Sequence, residues 1–166
     1  MQQVPFLDVM ALATEKLAGK GVFLTAGTDA PNSMTIGWGG ISFFWYKPYF
    51  VVPVRYSRFT YGKIKQAGEF TVSVPLDDTC NKALAFFGSK SGRDQDKYAA
   101  CGLTLTPGHT IKTPVITQCG LHFECVTRYA QTLEPLGYTT DIPEKYYPNG
   151  DFHTLFYGEI VDCYKS

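Results

Sequence analysis

VVPVRYSRFTYGKIKQAGEFTVSV, residues 51–74, passes from an apolar strand through a short polar turn into a helix that ends at a glycine, and then back into a strand. The apolar run up to Val54 and the stretch EFTVSVPL (69–76) carry β-branched and aromatic residues, whereas residues 60–67 follow helical spacing. In the turn, Arg55, Ser57, Arg58 and Thr60 bring two guanidinium groups and two hydroxyls together where strand gives way to helix. A helix N-terminus offers unpaired N–H groups and a partial positive charge, and arginine forks and short hydroxyls add charge-assisted hydrogen bonds, so the cluster suits a phosphate. The same residues also suit ordinary helix capping by Ser57 or Thr60 with two solvated arginines. The residues alone leave both readings open.

Working outward, strands dominate. GVFLTAG (21–27) and MTIGWGGISFFWY (34–46) read as antiparallel strands joined by TDAPNS, and Gly37, Gly39 and Gly40 mark a bend, a bulge or a close approach to the backbone. Further strands are expected at 47–55, 103–106, 111–117, 120–132 and 153–164. A first helix is expected over 8–18 with Asp8 as its N-cap, and another over 77–88 opening on a capping aspartate. The Pro- and Gly-rich stretch 135–151 has room for one helical turn. Many short strands, few helices and a long closing strand point to an antiparallel barrel or sandwich flanked by helices.

The chain has 166 residues, a length that predicts one domain over 1–166. Fifteen basic residues balance fifteen acidic ones, so no overall field would hold DNA or RNA, and any anion site must be local. Eleven Tyr and twelve Phe favour strands and supply flat faces for a planar ligand, although an aromatic core accounts for most of them. The five cysteines, at 80, 101, 119, 125 and 163, form no C-x-x-C pair and read as reduced and mostly structural, with a single redox-active one as the alternative. His109, His122 and His153 lack metal-ligand spacing, and no nucleophile-elbow sequence is present, which disfavours zinc chemistry and serine hydrolysis. With no signal-like N-terminus and no apolar run of membrane-spanning length, a cytoplasmic location is expected.

Two more segments carry candidate binding groups. GSKSGRDQDK (88–97) holds Ser89, Lys90, Ser91, Arg93 and Lys97 after a helix end, but lacks the G-K-[ST] of a P-loop. PNSMTIGWGG (31–40) sets Asn32, Ser33 and Thr35 beside Trp38 in a glycine-bearing strand where a flat heterocycle can approach. Each also fits a plain alternative, a mixed-charge surface loop and a turn entering a strand with a core tryptophan.

Taken in order, N-S-M-T-x-x-W-G-G (32–40), V-R-x-S-R-x-T (54–60), G-S-K-S-G-R-D-x-D-K (88–97) and D-x-H-x-x-x-x-G-E-I (151–160) resemble the flavin reductase-like family of FMN-binding split-barrel proteins, from about residue 20 to 163. The resemblance implies a mainly β fold, a six-stranded antiparallel Greek-key split barrel with flanking helices, forming a homodimer with FMN near the subunit interface. It assigns Arg55, Ser57, Arg58, Phe59 and Thr60 to the phosphate segment. It sets Asn32, Ser33, Met34, Thr35 and Trp38 beside the isoalloxazine, and Ser91, Arg93 and Lys97 near the phosphate and ribityl chain. His153 matches the family histidine near the flavin, here the candidate catalytic residue. Tyr56 departs from the proline of many relatives, which leaves this turn less rigid and the placement of Arg55 less fixed. The implied activity is an FMN-dependent oxidoreductase fed by NAD(P)H or a redox protein. Its alternatives are a non-enzymatic FMN carrier or store, and a β domain that binds another protein.

Overall fold

The computed structural model describes residues 2–166. Its main sheet is antiparallel throughout and follows the order β3-β2-β6-β9-β10-β5-β4. These strands are β2 (Val22–Ala26), β3 (Asn32–Ile36), β4 (Gly40–Phe44), β5 (Lys47–Arg55), β6 (Glu69–Val74), β9 (Leu121–Thr132) and β10 (His153–Lys165). The short strand β1 (Gln2–Gln3) joins β10, and β7 (Leu105–Thr106) pairs with β8 (Val115–Ile116) as a separate ribbon. The class is the expected mainly β fold with flanking helices, but the sheet has eight strands where six were expected. Residues 34–46 account for part of the difference. Gly39 adopts φ +111°, and a Cβ there would collide with the Val51 carbonyl, so the chain breaks into β3 and β4.

β10 is the spine of the sheet. Its first half pairs with β5 from His153↔Arg55 to Glu159↔Tyr49, while its other edge runs along β9 with register shifts after Tyr157 and Ile160. Such irregularities bend a strand, and here they let β10 pair with β5 along one edge and β9 along the other. Pro53 lies beyond Val51, the last β5 residue paired with β4, and Pro48 lies before Tyr49, the first paired with β10. Each proline therefore sits where β5 has a single neighbour, which suits a residue without an N–H.

The helices are α1 (Phe6–Ala18), α2 (Phe59–Ala67), α3 (Asn81–Ser89), α4 (Lys97–Cys101) and α5 (Ile142–Tyr146). The first begins at Phe6 after Pro5, so Asp8 is not its cap; Asp8 instead sits in the first turn, where a carboxylate favours the helix dipole. Likewise neither Ser57 nor Thr60 caps α2, whose N-cap is Arg58 without a side-chain cap bond. Asp77 and Asp78 close a turn through Thr79 and Asn81 before α3 instead of capping it. The strand expected over 111–117 shrinks to β8, because the amides of His109, Thr110, Ile111 and Thr113 donate to the carboxylates of Glu124 and Glu69 and not to a ladder. The core lies between α1, α2 and the sheet, with Phe23 and Phe87 centring a second cluster under α3. No helix among the described residues is long and apolar enough to cross a membrane.

Candidate functional site

Four chain segments come together around the site: β3, the turn from β5 into α2, the link from α3 to α4, and the start of β10. They enclose two adjoining pockets. The first, of about 240 Å3, is lined by Met34, Thr35, Trp38, Arg55, Arg58 and His153, with Gly37 and Pro53 completing its wall. The second, of about 170 Å3, is lined by Asn32, Met34, Ser57, Arg58, Phe59, Thr60, Ser91, Arg93 and Lys97. Met34 and Arg58 belong to both. A hydrophobic side chain and a guanidinium thus form the sill between a slot with aromatic and apolar walls and a smaller cationic hole.

The cationic hole owes its charge to an unusual lysine. Lys97 is 3% exposed, and its ammonium donates to the carbonyls of Ser33 at 2.6 Å and Lys90 at 3.2 Å, above the ring of Phe87. Among the described residues no carboxylate pairs with it. Burial, then the charge of Arg58, bring its pKa down to about 8. A buried ammonium without a counter-charge carries a desolvation cost that an anion would relieve. Arg58 donates to the Gly88 carbonyl, and Arg93 spans from the Ser57 carbonyl to a position over the Phe59 ring. The first-turn amides of α2 lie in the same segment, where a helix leaves its N–H groups unpaired. Gly92 is required here, since a Cβ would overlap Asn32 Oδ1, whose amide donates to Thr60 at 2.8 Å.

At the slot, Trp38 is 49% exposed, and its ring lies 5.0 Å from His153 and 5.9 Å from Tyr146. His153 is 8% exposed and shares a 2.8 Å hydrogen bond with the Tyr147 hydroxyl. Burial first, and the nearby charge of Arg55 next, push the His153 pKa down to about 4, so the ring is neutral near pH 7. Arg55 donates to the carbonyls of Tyr146 and Asp151, and the Asp151 carboxylate accepts from both the amide and the hydroxyl of Ser57.

Of the sequence-predicted residues, Ser33 alone lines neither pocket. Its hydroxyl bonds Thr25 at 2.6 Å and Tyr98 at 2.7 Å inside the core. Arg55 stands at the slot, apart from Arg93 and Lys97, and the Ser57 hydroxyl is committed to Asp151. Ser89 and Lys90, which the sequence grouped with the second candidate loop, line the second pocket, whereas Ile36, Pro53, Phe87 and Gly92 also line the pockets without having stood out in the sequence; Gly92, inside a Ser- and Arg-rich loop, carried the one usable signal. The three histidines lack ligand spacing along the chain, yet folding brings His109 together with Glu124 and Asp162, their ligand atoms within 4.8 Å of one another.

A sequence model described as the flavin reductase like domain matches residues 15–166. An uncharacterized protein of Archaeoglobus fulgidus is 33% identical over 140 residues, covering 83% of this chain and 67% of its own length. The structure resembles flavoredoxin of Desulfovibrio vulgaris Miyazaki F, with a TM-score of 0.70 and 26% identity over 88% of this chain and 69% of that one. Flavoredoxin from Methanosarcina acetivorans aligns with a TM-score of 0.67 and 28% identity over 88% of this chain and 68% of its own. The match over nearly the whole chain, together with the shared architecture, makes this protein a member of the flavin reductase-like domain family.

Proposed function

We propose that this protein is an FMN-dependent oxidoreductase that passes reducing equivalents from NAD(P)H or a redox protein through bound flavin to an acceptor. The observation that carries the reading is the buried Lys97, which has no carboxylate partner, beside Arg58 at the N-terminus of α2, in a hole that adjoins the slot beside Trp38. The donor set fits a phosphate monoester: two guanidinium groups, an ammonium, short hydroxyls and helix amides, with no carboxylate among the described residues that line the two pockets and the neighbouring Asp151 held by Ser57 and Arg55. Bound FMN would supply the two-electron chemistry itself, which accounts for the lack of an elaborate acid-base constellation. In this reading Arg58, Arg93, Lys97 and Ser91 hold the phosphate end, with Asn32, Phe59 and Thr60 shaping the hole. Met34, Thr35 and Trp38 bound the ring, while Arg55 and Ser57 brace the wall through Asp151. His153 offers a neutral imidazole to the ring edge.

Adding FMN to the purified protein is expected to give a saturable change in the flavin visible spectrum and fluorescence. A spectrum identical to free FMN at every protein concentration overturns the reading. Anaerobic mixing of the loaded protein with NADH, NADPH and reduced ferredoxin then identifies the donor by bleaching; bleaching by none of them favours an FMN carrier or store.

The same reading includes a homodimer. The β4–β5 hairpin exposes Phe43, Trp45 and Tyr46, with Tyr129 adjoining, and a second copy would cover this aromatic face. Sedimentation at micromolar concentration is expected to give twice the chain mass. A monomer under those conditions, with flavin bound, rules the dimer out.

A further inference from the structure

We propose that Tyr147 is the positioning residue of this site: its hydroxyl donates to Nδ1 of His153, holds the imidazole in the tautomer protonated on Nε2, and so makes the ring a fixed hydrogen-bond donor to an electron-rich edge in the first pocket. Tyr147 follows α5, in the stretch between β9 and β10 that nothing in the four sequence motifs singles out. Its hydroxyl lies 2.8 Å from Nδ1, and its ring is 6% exposed. Two arrangements satisfy that distance, with either the phenol or the ring nitrogen as donor. A phenol is the stronger acid and a neutral imidazole the stronger base of the two, so donation from the phenol is favoured. Burial first, and then the neighbouring Tyr138, push the Tyr147 pKa up to about 12, so the phenol keeps its proton.

The backbone around Tyr147 is held for this task. Arg55 donates to the carbonyls of Tyr146 and Asp151, on either side of the turn, while its guanidinium carbon sits 5.0 Å above the Tyr147 ring. Trp38 packs on Tyr146 and on His153, closing the other side. The charged groups acting on the imidazole are Arg55 from β5, Arg58 from the α2 N-cap and Asp151 from the approach to β10. Burial first, and then two cations against one anion, keep the ring neutral, and with Nδ1 engaged by Tyr147, Nε2 is the nitrogen left for the pocket it lines.

The inference rests on His153 belonging to the flavin site, but its test does not require flavin. Nitrogen-15 NMR of histidine-labelled, flavin-free protein at pH 7 is expected to show His153 protonated on Nε2 with a hydrogen-bonded Nδ1. Tyr147→Phe keeps the ring under Arg55 and removes only the hydroxyl. It should give a mixture of tautomers, because the group that distinguishes the two ring nitrogens is lost. A wild-type ring protonated on Nδ1, or an unchanged tautomer in a folded Tyr147→Phe, overturns the proposal. Should the variant not fold, the wild-type spectrum alone decides. FMN titration of the wild type separates the two readings: normal tautomer behaviour without flavin binding removes the cofactor and leaves Tyr147 in its positioning role.

Discussion

Arg58→Glu is expected to weaken FMN binding by at least about 2 kcal/mol, roughly 30-fold, in a flavin fluorescence titration. Arg58 lines both pockets, and a charge-assisted bond to phosphate is worth about 1.5–3 kcal/mol before any repulsion is added. The reversed charge acts a second time through Lys97. In the wild type Arg58 helps depress that ammonium, whereas a carboxylate at 58 would pair with it and neutralise the remaining buried cation. The variant should fold, because a carboxylate at an N-cap suits the helix dipole and the main loss is one hydrogen bond to the Gly88 carbonyl. Arg58→Gln, which removes charge without reversing it, should fall between the two. A folded Arg58→Glu protein that binds FMN within threefold of wild type would place the phosphate elsewhere.

Residues 51–74 were legible because each part of the segment is decided locally. The β-branched strand, the polar turn and the glycine at the α2 C-terminus, Gly68 at φ +68°, all act over a few residues. The β4–β5 turn was not legible for the opposite reason. Trp45 and Tyr46 both adopt left-handed backbone at φ 48° and 59°, in a two-residue hairpin that usually takes Asn-Gly, so two aromatics look like a continuing strand. Their conformation is imposed by the pairing Phe44↔Lys47 and by packing of Trp45 on Tyr49, neither of which is local information.

The candidate site divides the same way. Residues that carry distinctive chemistry in a short motif, such as Arg58, Arg93 and Lys97, line the pockets. The partners that decide what those groups do lie far along the chain. Asp151, which opens the last motif and whose hold on the Ser57 hydroxyl that motif does not reveal, and Tyr147, which engages His153, lie in or at the end of a loop whose composition suggests a surface excursion. Ser33 shows the converse. Its place in the motif reads as a ligand contact, but its hydroxyl is taken up by Thr25 and Tyr98.

Glu124→Ala is expected to destabilise the protein by roughly 3–5 kcal/mol in urea denaturation, the range for leaving buried charge-binding groups without their partner. Glu124 is fully buried, and its carboxylate accepts from the amides of His109, Thr110 and Ile111 and from the hydroxyls of Thr110 and Tyr164. Removing it strands those donors and releases the loop before β8. Glu124→Gln should cost less, yet it cannot be neutral: both oxygens receive backbone N–H groups, so either amide orientation sets an NH2 against one of them. Burial alone would push the Glu124 carboxyl up, but the hydrogen bonds from Thr110, His109 and Tyr164 outweigh it and hold the pKa below 4.5. A depressed carboxylate contributes stability that is complete above about pH 4.5 and disappears as pH falls through the folded value, so wild type should lose stability there and Glu124→Gln should lose less. Glu124 pairs with Asp162, nine residues along β10 from His153, on the order of 30 Å at strand rise. FMN affinity of the folded Gln variant should therefore match wild type. An Ala variant within 1 kcal/mol of wild type, or a Gln variant with the wild-type acid profile, would show that the loop is held by something other than this carboxylate.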